Sequence, residues 1–223
     1  MPASETAGRD RARREWSRLH GGIDPRRLPL LDLWLRGMWV LARPLAALRV
    51  APLTLTALGA ALALAALALA GVLPAAALAL VLLASVCDGL DGAVAVLAGR
   101  ASRLGSGADK LADRVADCAF ALVIWRCGAP LWLAVAAGSL SLLHEVGRSV
   151  LAGPRRFRLT VAERPTRVVC TVLACLCAAV SAAHWPATVC AAVWTALALA
   201  GLAQLAPAGP STARGRAPRR SGR

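Results

Sequence analysis

The chain has 223 residues, 58% of them hydrophobic, and a formal net charge of +14. So apolar a composition carrying 25 arginines excludes an ordinary soluble domain. The arginines also argue against a nucleic-acid partner, because they fall in blocks between apolar runs: ten before residue 50, six from Arg148 to Arg167 and five from Arg214 onward.

Residues 1–50 begin with a basic arm, polar and charged through Arg27, which does not fit a cleavable signal peptide. Residues 29–48 mix leucines, Trp34 and Trp39 with Asp32, Arg36 and Arg43, and Pro44 interrupts them. This pattern predicts an amphipathic helix lying at the membrane interface rather than a span. Six apolar runs follow, at roughly 51–71, 75–97, 107–127, 129–151, 165–183 and 186–205. A run of about 21 residues at 1.5 Å rise covers about 31 Å, the hydrocarbon thickness of a bilayer. The connections after the first, third and fifth runs are short and nearly uncharged, with Arg126 the one arginine on that side. The other connections hold Arg100 and Arg103, then Arg155, Arg156, Arg158 and Arg164. The expectation is an all-α membrane protein of the cell membrane, with six transmembrane helices and both termini cytoplasmic. Residues 51–205 form its helical domain, and residues 206–223 a disordered basic tail. Trp125, Trp132, Trp185 and Trp194 lie near span ends, as an interfacial belt requires. The seven cysteines show no zinc-site spacing and read as small buried apolar residues.

Five of the twelve acidic residues fall inside the second and third runs: Asp88, Asp91, Asp109, Asp113 and Asp117. Each carboxylate at mid-membrane costs roughly 3 kcal/mol, so the group needs a cationic partner. Asp88 and Asp91 are three apart, and Asp109, Asp113 and Asp117 are four apart, so each set shares one helix face. The turn around 99–106 should fold the two helices into an antiparallel pair with these faces together. Four converging carboxylates without a nearby histidine make an oxygen-only site suited to Mg²⁺ or Mn²⁺. Gly89, Gly92, Gly105 and Gly107 would let a nucleotide or phosphate approach the backbone, although glycine also serves helix packing in membranes.

The stretch Asp88-x2-Asp91-Gly92-x2-Ala95-x9-Gly105-x3-Asp109-x3-Asp113 resembles the signature of the CDP-alcohol phosphatidyltransferases, with seven of its eight fixed positions present. Pro52-x3-Thr56-x2-Gly59 is similar to the opening of that family's first membrane helix. The resemblance implies transfer of a phosphatidyl group from CDP-diacylglycerol to a small alcohol with release of CMP, at a Mg²⁺ or Mn²⁺ site, in a homodimer. It implies that Asp88, Asp91 and Asp109 hold the metal, that Asp113 shares the metal and acts as base, and that Gly92, Ala95 and Gly105 face the cytidine. The family's motif arginine, which contacts the cytidine diphosphate, is Val96 here. Arg100, one turn on, or Arg103 could supply the missing charge.

Asp113-Arg114-x2-Asp117 and Glu163-Arg164-Pro165-x-Arg167 resemble members that make phosphatidylinositol phosphate or phosphatidylglycerophosphate. Arg164 and Arg167, with Arg148, would then bind a phosphate on the incoming alcohol, although basic residues are expected at a cytoplasmic helix end in any case. His144 and Glu145 read either as a helix-end pair bonding each other or a neighbouring helix, or as part of the acceptor site. The other reading of the whole chain is a binding or regulatory member that lost turnover with its motif arginine. A cation transporter would need polar residues continuing through both membrane halves, and the later runs lack them.

Overall fold

The computed structural model describes residues 24–99, 103–151, 160–181 and 183–205, together with positions 14, 17 and 22. Most of the basic arm, Arg100, the arginines at 155, 156 and 158, and the tail 206–223 lie outside the described residues. Within them the chain is all helical: a single 3-10 turn at Pro25–Arg27, then α1 (Pro29–Ala47), α2 (Pro52–Leu69), α3 (Pro74–Ala98), α4 (Arg103–Arg126), α5 (Leu131–Leu151), α6 (Arg164–Val180) and α7 (Trp185–Leu205).

The boundaries follow local chemistry. A proline occupies the first turn of α1, α2, α3 and α6, where its missing N–H has no intrahelical partner to lose. Helix α3 stops at Gly99, a left-handed cap with φ of 62°, a conformation glycine adopts without Cβ strain. The α4–α5 hairpin turns on Gly128 at φ of 114°, where any Cβ would strike the His184 ring.

Helices α2, α3 and α7 are long and apolar enough to cross a membrane. The others carry the polar residues of the site or are shorter, α6 having 17 residues. The core along α2–α7 is built largely from alanine, with Phe120, Ile124 and Trp194 as its bulk; small side chains let helices approach closely where lipid offers no hydrophobic drive. Gly59 of α2 is one such approach: a Cβ there would lie 3.4 Å from the Ala84 carbonyl and from the Cys87 Cβ of α3. A second cluster joins Met38 and Ala42 of α1 to Leu55, Leu90 and Val94. Helix α1 therefore packs on the back of the α3 turn whose front carries Asp88 and Asp91, and Gly89 makes room there for Met38 and Trp34.

Two expectations change in detail. Helices α3 and α4 are not a closely packed antiparallel pair: α2 packs along both, α6 also touches both, and direct contact between α3 and α4 is slight. Helix α2 fills the groove between them, so α3 and α4 approach each other chiefly through the carboxylates near the turn that joins them. Trp194 also leaves the expected belt. It is 1% exposed in the core and donates its indole N–H to Ser141 Oγ at 2.7 Å, while Trp125, Trp132 and Trp185 remain exposed.

Candidate active site

The cleft opens between α3 and α4, with Thr56 and Gly59 of α2 on one side and Arg164 of α6 on the other. Three of the five acidic residues of α3 and α4 converge there. Asp88, Asp91 and Asp109 each present a carboxylate oxygen, all within 4.8 Å of one another. Asp91 is buried; Thr56 Oγ1 donates to its Oδ2 at 2.6 Å, and the Gly92 N–H donates to its Oδ1 at 2.6 Å. Both Asp91 oxygens are thereby held in place. The Thr56 hydroxyl reaches Asp91 because α2 comes so close to α3 at Gly59.

For a hard divalent cation these residues fit. The donor set is entirely carboxylate oxygen, contributed by facing helices and backed by a fixed hydrogen-bond partner, as such ions require. Asp113 lies one turn beyond Asp109 and meets Asp88 through a shared cation: the Arg164 guanidinium donates one nitrogen to both Asp88 Oδ1 and Asp113 Oδ1. Gly92 is exposed beside Asp91, and nothing lies within 4 Å of where its Cβ would be. Ala95 follows one turn later, and Gly105 is half-buried in the first turns of α4. Arg103 opens α4, but its side chain, like all of Arg100, lies outside the described residues.

Behind the cleft lies a second polar group. Arg167 is 1% exposed and donates to Asp117 Oδ2, to Glu145 Oε1 at 3.0 Å and to the Ala162 carbonyl at 3.0 Å. Arg148 donates to Glu145 at 2.7 Å and Glu163 at 2.9 Å. Arg114 bridges towards Asp117 at 3.3 Å and towards Asp113 and Glu145 at 3.9 Å each. Thr160 bonds both Glu163 and the fully buried His144. Three arginines, Arg114, Arg148 and Arg167, thus face three carboxylates, Asp117, Glu145 and Glu163, tying α4, α5 and α6 together. Of the readings for His144 and Glu145, bonding to a neighbouring helix is what Glu145 shows, accepting from Arg167 of α6, 22 residues on, while His144 bonds Thr160. The role of Thr56 as a clamp on Asp91 carried no sequence signal, 35 residues separating the two.

The described residues thus form an apolar helical bundle, three of whose helices are long and apolar enough to cross a membrane, with an oxygen-only acidic cleft at one end. The chain belongs to the CDP-alcohol phosphatidyltransferase family, whose model matches residues 49–203. That family moves a phosphatidyl group from a CDP-alcohol to an alcohol acceptor and generally uses a divalent metal. Among curated proteins, no sequence matches the chain.

Proposed function

We propose that the chain transfers the phosphatidyl group of CDP-diacylglycerol to the hydroxyl of a phosphorylated polyol, releasing CMP, within a six-span, homodimeric protein of the cell membrane whose termini face the cytoplasm. The observation that carries this reading is the convergence of Asp88, Asp91 and Asp109 within 4.8 Å, with Asp113 beside them on α4.

Asp88, Asp91 and Asp109, with Asp113 sharing the site, hold Mg²⁺ or Mn²⁺. When bound, the cation supplies Lewis-acid stabilisation of charge on the nucleotide phosphates. Gly92, Ala95 and Gly105, with small side chains or none, face the cytidine, and Arg100 or Arg103 provides the positive charge that Val96 does not. Asp113 accepts the proton of the acceptor hydroxyl as its oxygen bonds to the phosphatidyl phosphorus, and the bond from that phosphorus to CMP breaks. Arg164 reaches the phosphate of the acceptor from the start of α6, and Arg167 and Arg148 stand behind it. The reacting groups are partly buried among helices, which strengthens their charges and fixes their positions.

Offering glycerol 3-phosphate, inositol phosphate, inositol and serine in turn with CDP-diacylglycerol, and identifying the lipid formed, tests the acceptor. A product with either phosphorylated acceptor, and none with inositol or serine, is expected. CMP release with serine alone would overturn the assignment.

A further inference from the structure

Arg164 differs from the other two arginines assigned to the acceptor. Arg148 and Arg167 are satisfied by Glu145, Glu163 and Asp117, none of which belongs to the convergent Asp88–Asp91–Asp109 group. Arg164 instead takes its partners from the catalytic carboxylates, donating to Asp88 and Asp113 at once. Asp88 is therefore claimed from two sides: by a guanidinium from α6, and by the group of three oxygens suited to a divalent ion.

Resting on the metal reading above, we infer that Arg164 and the divalent cation are exchangeable occupants of Asp88. Loading of the cation displaces the guanidinium. The displacement has two consequences for this chain's own residues. Asp113 Oδ1, which accepts from Arg164 before the displacement, is then open to a hydroxyl proton. The released guanidinium is then a cation without its carboxylates at the mouth of the cleft, which is what an acceptor phosphate requires. Arg164 thereby enforces an order, with metal first and phosphorylated acceptor second, and it neutralises the carboxylates when no metal is present, where unpaired charge is costly.

Competition gives the test a distinctive sign. Binding of Mn²⁺ alone to the purified full-length protein in detergent, read from the resonance of free Mn²⁺, should tighten roughly tenfold in Arg164→Gln, since a charge-assisted pair on the ligands no longer opposes it. Arg148→Gln removes the same charge from the neighbouring network and should leave Mn²⁺ affinity within about twofold. Arg164→Lys, which keeps the charge and guards against a variant that does not fold, should fall between Gln and the native chain. Thermal unfolding supplies a second reading: Arg164→Gln should melt below the native protein without metal, and the gap should close at saturating Mn²⁺. Unchanged or weaker Mn²⁺ binding in Arg164→Gln, or equal tightening in Arg148→Gln, would overturn the exchange while leaving the metal site standing. A native protein that binds no Mn²⁺ would instead remove the metal reading, and the exchange with it.

Discussion

Asp91 is the most constrained member of the acidic group, held at one oxygen by Thr56 and at the other by the Gly92 N–H. Thr56→Val should therefore weaken Mn²⁺ binding about tenfold, the order expected when a metal ligand loses its supporting hydrogen bond, and Thr56→Ser should restore it. Equal affinity in all three proteins would deny Thr56 its positioning role. Asp113 carries a different expectation. If it chiefly accepts the hydroxyl proton, Asp113→Asn should lower kcat by at least about a hundredfold with little change in CDP-diacylglycerol binding; matched loss of both would make it a metal ligand only. At Val96 the prediction concerns the neighbouring arginines. Removing whichever of Arg100 and Arg103 serves the nucleotide should cost roughly ten- to a hundredfold in its affinity, the value of one charge-assisted contact, and Val96→Arg in that variant should recover much of it. In a member that had lost turnover, Val96→Arg alone would create activity and the two arginines would be silent. The acidic residues were legible in the sequence because carboxylates in an apolar run are costly enough to demand a reason. Their hydrogen-bond partners were not, because a threonine on another helix costs nothing by itself.

Helices α4, α5 and α6 share the apolar core and are also joined by Arg167, whose side chain and that of its partner Asp117 are each 1% exposed. Arg167→Met leaves Asp117 with Arg114 alone and should cost about 3–5 kcal/mol, because an uncompensated charge is then buried. Arg167→Met combined with Asp117→Leu should recover most of that loss. Denaturation of the three proteins in detergent checks the pattern, and additive losses would contradict it. The α2–α3 contact depends on size instead of charge. Gly59→Val would drive methyl groups towards the Ala84 carbonyl and the Cys87 Cβ, costing about 1–3 kcal/mol and shifting Thr56 off Asp91. The helices themselves were readable from hydropathy to within four residues at either end, since apolar runs and first-turn prolines mark them. Their neighbours were not. Which helix lies between α3 and α4 depends on close approaches at single glycines and alanines, and an alanine-rich sequence offers many of equal merit.

Among the described residues, the candidate site and the exposed tryptophans of the turns lie at opposite ends of the bundle. The acidic cleft, the arginines that neutralise it and the packed face of α1 sit at the end where α3 stops and α4 and α6 begin, while exposed Trp132 and Trp185 mark the opposite turns. Single cysteines introduced into a cysteine-free background at Val72 and at Ser17 should label from opposite sides of sealed vesicles if the domain has six spans with its N-terminus in the cytoplasm; labelling from one side would remove that topology. The central claim is that the carboxylates of α3 and α4 form a metal-dependent phosphatidyl-transfer site. Its most direct test is CMP release from CDP-diacylglycerol by the purified protein, supplied with a phosphorylated polyol, with Mg²⁺ and with chelator, in the native chain and in Asp88→Asn, Asp91→Asn and Asp109→Asn. Release is expected only with Mg²⁺ and only in the native chain, although the variants still insert into the membrane. Release that persists in chelator, or near-native turnover in any one of the three variants, would contradict the claim.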